Sequence, residues 1–81
     1  MYIIHTFNIE QMNADVTEVT SELELIPVLR FISRLRGNNT LFIVEDTDIG
    51  MLSYYHNTKP ITEESYRELS NLFKITALLR K

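Results

Sequence analysis

The chain contains no cysteine, two glycines, two prolines and no uninterrupted apolar run longer than four residues. Without cysteine, neither a disulfide framework nor a thiolate metal site can supplement the core. Two glycines cannot build a phosphate-cradling loop of the Walker or dinucleotide-binding type. The longest apolar runs, such as Leu41-Phe42-Ile43-Val44, fall far short of the roughly 18 residues that span a bilayer. Met1-Tyr2-Ile3-Ile4-His5 also lacks the basic region and longer apolar stretch of a signal peptide. The expectation is a cytoplasmic protein without membrane association.

Base is missing too, and unevenly. Residues 1–29 hold no lysine or arginine, yet five acids, Glu10, Asp15, Glu18, Glu22 and Glu24. The net charge is -3 and the isoelectric point 5.2, which argues against direct nucleic-acid binding, because that role needs a basic face.

What is present describes one ordinary folded domain over residues 1–81: 44% hydrophobic and 23% charged residues, with a mean hydropathy of -0.08. Frequent Ile, Asn, Tyr and Phe beside two alanines match the bias of AT-rich genes, such as those of phages and other mobile elements. Tyr2 to Ile9 reads as a strand with apolar residues on both faces, suited to a central position. Residues 16–25 support two readings. Val16, Val19, Leu23 and Ile26 have helical spacing, whereas Val19, Leu23 and Leu25 alternate with Glu18, Thr20, Glu22 and Glu24 as in an edge strand. Pro27 requires a helix start near Ser21 to Glu24, where the missing donor is harmless in the first turn. That helix runs to Arg36 with Leu25, Val28, Leu29, Ile32 and Leu35 as its apolar stripe, and Gly37 caps it.

Thr40 to Glu45 and Gly50 to His56 form a hairpin around Asp46-Thr47-Asp48-Ile49, with Gly50 a candidate bulge. Thr62 caps a last helix from Glu63 to about Leu79, with Ile61 and Tyr66 as a hydrophobic staple. The expected fold is α+β: a short, mainly antiparallel sheet in β-α-β-β-α order with both helices on one face.

No motif marks a catalytic site, and the chain is read as a non-enzyme without cofactor. Asp46, Asp48 and Gly50 resemble the opening of a calcium loop, but the glycine falls one position early and Asn57 stands where the bidentate glutamate belongs. A solvated turn is the expectation. His5, on a face with Ile3 and Phe7, reads as a hydrogen-bonded structural histidine.

Two features call for a partner. Glu18, Glu22 and Glu24 make a negative edge suited to a basic surface on another protein, such as the nucleic-acid groove of a host enzyme. Leu72, Phe73, Ile75, Ala77, Leu78 and Leu79 cover too much of the last helix for one buried stripe, which points to a homodimer through Leu72, Ile75, Leu78 and Leu79. The leading expectation is therefore a small acidic protein-binding protein of the inhibitor, antitoxin, immunity or host-directed phage type. The alternative is a ligand-binding or regulatory domain in which Arg30, Arg34 and Tyr54 hold an anionic metabolite.

Overall fold

The computed structural model describes residues 1–8, 13–37 and 39–79, with backbone alone for residues 13 and 73–79. Strand alternation organises everything else. In β1 (Tyr2–Asn8), Tyr2, Ile4, Thr6 and Asn8 point to one face, and Ile3, His5 and Phe7 to the other. β2 (Asn13–Val19) and β3 (Thr40–Asp46) flank β1, and β4 (Met51–His56) and β5 (Lys59–Ile61) complete an antiparallel sheet of order β2-β1-β3-β4-β5. β1 thus has a neighbour on each side, as its two apolar faces require.

The register sets Ile4 opposite Val44 and Thr17, and Thr6 opposite Phe42. One sheet face therefore carries Ile4, Val19, Phe42 and Val44, and α1 (Glu22–Arg36) lays Leu25 and Leu29 on it, with Val28, Ile32, Tyr2 and Tyr55 at the margin. Each fully buried aliphatic or aromatic side chain here contributes about 1.5–3 kcal/mol. The ends of α1 are marked chemically. The Ser21 hydroxyl accepts from the Leu23 N–H at 3.2 Å, and Gly37, at φ 100°, donates to the Ser33 carbonyl at 3.0 Å. That φ favours glycine because it lacks a Cβ. Pro27 lies in the second turn rather than the first, which removes the donor that the Leu23 carbonyl would otherwise receive. Leu23 itself is 89% exposed.

α2 (Glu63–Leu79) starts where Thr62 accepts from the Ser65 N–H at 3.1 Å. Tyr66 of this helix meets Tyr54, ring centroids 5.3 Å apart. Tyr54 pairs with Ile43 in β3 and so projects from the side opposite Phe42, Val44 and Tyr55. The two helices therefore approach opposite faces of the sheet, not one. The physical reason is parity: Ile61, directly opposite Tyr54 in β5, delivers the chain to the Tyr54 side immediately before the helix begins. Tyr54 also sits between the two expected staple residues, paired with one and stacked on the other.

The expected elements occur in the expected order, with two added strands. β2 resolves the open stretch as an edge strand up to Val19, with the helix from Glu22. β5 returns through the tight turn at Asn57, whose φ is 56°. Pro60 is tolerated in it because β5 is an outer strand. Gly50 belongs to the hairpin turn instead of a bulge, at φ 67° with its N–H on the Asp46 carbonyl at 2.8 Å. Leu35, expected in the buried stripe, is 66% exposed on the flank of α1.

At one end of the sheet a polar knot replaces apolar packing. The buried Asn8 amide donates to the Arg36 carbonyl at 2.7 Å and to the Thr40 hydroxyl at 3.2 Å, and that hydroxyl donates to the Gly37 carbonyl at 3.0 Å. The Asn57 side chain accepts from the Thr40 N–H at 3.3 Å, and the Asn57 N–H donates to the Thr40 carbonyl at 2.8 Å. Asn8→Ala is expected to destabilise the fold by about 1–3 kcal/mol, since the Thr40 hydroxyl and the Arg36 carbonyl are left without this donor. Leu29→Ala should cost about 2–5 kcal/mol through the cavity it leaves. Urea denaturation checks both, each as a lower midpoint with unchanged slope.

Candidate functional site

The acidic residues foreseen as a recognition surface line one margin of the molecule. Glu18 lies on β2, the outer strand, while Glu22 and Glu24 occupy the first turn of α1, and all three are exposed. On the sheet face opposite α1, Glu18 and Glu45 flank Ile3, because Ile3 pairs with both. Asp15, also on β2, is paired with Arg36 at the other end of α1. Glu10 lies outside the described residues.

A second group of carboxylates gathers around Tyr2. Its phenol is held above the usual tyrosine value, first by partial burial and then by the negative charges of Glu22, Asp46 and Asp48. Asp48 also meets the terminal ammonium of Met1 at 3.4 Å, and the Met1 carbonyl accepts from the Thr47 N–H at 3.0 Å and the Thr47 hydroxyl at 2.9 Å. The Asp46 side chain accepts from the Asp48 N–H at 3.1 Å. The hairpin tip is thus a turn closed on itself and on the chain start, and among the described residues no three acidic or histidine side chains are placed to hold a metal ion.

The residues of the anion-binding alternative are not brought together. Arg30 and Arg34 are exposed on α1, whereas Tyr54 emerges from the opposite sheet face against Tyr66. His5 is exposed, so the expected structural histidine is a surface one. It is separated from His56 by β3. Of the apolar residues assigned to a dimer interface, Leu72 is 57% exposed, while the side chains of Ile75, Leu78 and Leu79 lie outside the described residues.

Sequence reading missed a groove of 280 Å³ between β2 and α1, lined by Thr6, Asp15, Val16, Thr17, Ile32, Leu35 and Arg36. Thr6 is buried at this groove, its hydroxyl without a hydrogen-bond partner among the described residues. Leu35, on its wall, is 66% exposed, and Phe31, one turn earlier on α1, is 67% exposed. The exposure of Leu35 was the hidden signal, because its place in the helical stripe suggested burial.

No family model matches the chain, and neither the curated proteins nor the solved structures contain a significant match to it. No helix among the described residues is long and apolar enough to cross a membrane.

Burial and the neighbouring Tyr54 raise the Tyr66 phenol above the ordinary value. A phenol whose pKa is raised on folding stabilises the fold at neutral pH, and that contribution fades as pH climbs through the raised value. Absorbance titration is expected to show Tyr2 and Tyr66 ionising above the ordinary tyrosine value. In Tyr66→Phe one late transition should vanish, and its persistence would assign it elsewhere.

Proposed function

We propose that the chain is a small, non-catalytic protein-binding protein of the inhibitor, antitoxin, immunity or host-directed phage type, whose acidic margin meets a basic surface on its target. The observation that carries this reading is the run of exposed carboxylates from Glu18 to Glu24, in a stretch whose first basic side chain is Arg30. The helix dipole accounts for Glu22 and Glu24 but not for Glu18 on a strand. Charge complementarity mainly raises the association rate and sharpens specificity, and it weakens as salt shortens the screening length.

The test is capture of the target from source or host lysate, followed by binding kinetics. Association should slow as ionic strength rises, and replacing Glu18 and Glu22 with lysine should weaken binding while thermal stability changes by less than about 1 kcal/mol, as for other exposed substitutions. Indifference to both salt and the lysine pair would remove the acidic margin from the interface.

The same reading includes self-association through the last helix as a twofold dimer, supported by the exposure of Leu72 and by the sequence Leu72, Ile75, Leu78 and Leu79 along α2. Light scattering across micromolar concentrations should show a dimer that Leu79→Glu disrupts. A constant monomer mass in both proteins would count against it. The groove beside α1 is the observation behind a second reading, recognition of a small anionic metabolite. Its cation, Arg36, is already paired with Asp15, so calorimetry with small phosphates and carboxylates decides by whether Arg36→Gln abolishes a saturable signal.

A further inference from the structure

The two margins of the sheet are built differently. β5 is three residues long and carries Lys59 and Pro60, the short length and residue types that discourage another strand from pairing. β2 is seven residues long, Asn-Ala-Asp-Val-Thr-Glu-Val, with no proline, lysine or glycine. It pairs with β1 alone among the described strands. Its outer row of backbone donors and acceptors therefore has no strand partner among the described residues and offers a pairing template. What would cover an added strand is also in place, since the groove lined by Ile32 and Leu35 adjoins β2 on the α1 side.

We propose that β2 is a strand-addition site, and that its occupant is an extended basic segment of another protein, laid antiparallel along Asn13–Val19. This rests on the reading of the acidic margin as a protein-binding surface and supplies its mode. Backbone pairing gives such an interface its affinity, and side chains alternating between two faces give its specificity. The alternation can be specified here. Side chains on the α1 side run beside Asp15 and Thr17 and face the groove lined by Ile32 and Leu35, and should be apolar. Those on the other face run beside Ala14, Val16 and Glu18, with Glu45 two strands further in, and the side chains within reach of Glu18 should be lysine or arginine. Glu22 and Glu24 extend the negative field just past the end of β2.

Charge also argues against a second copy of this chain as the occupant. A β2-to-β2 pairing would bring the exposed Glu18, Glu22 and Glu24 of one margin alongside those of the other, two negative fields that repel.

The probe is a synthetic peptide as long as β2 with alternating valine and lysine, titrated into the intact protein at low salt. Two further peptides carry N-methyl groups on all valines or on all lysines. Successive amides in a strand point to opposite edges, so only one of these sets faces β2. The expected result is that the unmodified peptide binds and slows amide exchange across residues 13–19. One methylated set should lose at least about tenfold in affinity while the other is largely unaffected, as removal of several backbone hydrogen bonds predicts. In Glu18→Lys, unmodified-peptide affinity should fall with the fold intact by circular dichroism. If both methylated peptides bind as well as the parent, strand addition is refuted while the acidic margin remains a charge-recognition surface. If the parent peptide does not bind, strand addition is refuted as well. The wider protein-binding reading then stands or falls separately, by whether the captured target responds to the lysine pair.

Discussion

Thr40 holds the molecule's hardest junction. Here the end of β1, the last turn of α1, the first residue of β3 and the turn before β5 converge, and each arrives with backbone groups that its own element cannot satisfy. Asn8 and Thr40, both buried, supply the missing partners, and Asn57 closes the set from the far side. An apolar pair at these positions would fill the space but leave the helix-end carbonyls bare. Once this corner is fixed, the register of β1 on β3 follows, because Asn8 and Thr40 are cross-strand neighbours. That register in turn decides which side chains reach α1, since a slip of one residue would turn Ile4, Phe42 and Val44 away from the helix.

The acidic margin depends on the same chain of constraints. β2 takes its alternation from β1, so Val19 is delivered to the core and Glu18 to the outer face. Ser21 then starts α1 two residues later and places Glu22 and Glu24 beside the strand end. A continuous negative border thus results from ordinary capping and pleating, with no residue strained to make it. The cation nearest the opposite end of β2, Arg36, is engaged by Asp15, which leaves the field of the remaining carboxylates without a local counterion on that strand.

Much of this was legible in the order of residues, and the failures are instructive. Ser21, Gly37 and Thr62 announced the helix ends because capping is local chemistry, decided within one turn. The flanks of the Asp46 hairpin were legible for the same reason. β2 was ambiguous because Val16, Val19, Leu23 and Ile26 fit helical spacing, and only pairing with β1 selects the strand. β5 was hidden because Lys59 and Pro60 usually terminate a strand, and three residues give no period to read. The face taken by α2 was beyond local reasoning, since it depends on the parity of Tyr54 across two strand pairings. The groove was hidden for a related reason: a helical stripe says which residues lie on one side, not how far the sheet beneath extends.

The strand order has a consequence for how the molecule assembles. β1 with β2 is one hairpin-like unit and β3-β4-β5 a second, each made from neighbours in the chain, and within the sheet they join where β1 meets β3, with the whole of α1 between them in sequence. Local pairings close at little entropic cost, whereas this seam must wait for a long loop to be ordered. The seam is therefore the slow step and, read in reverse, the line along which the protein opens. A native state that breathes there would exchange amide protons on β1 and β3 together, while each unit keeps its own internal hydrogen bonds.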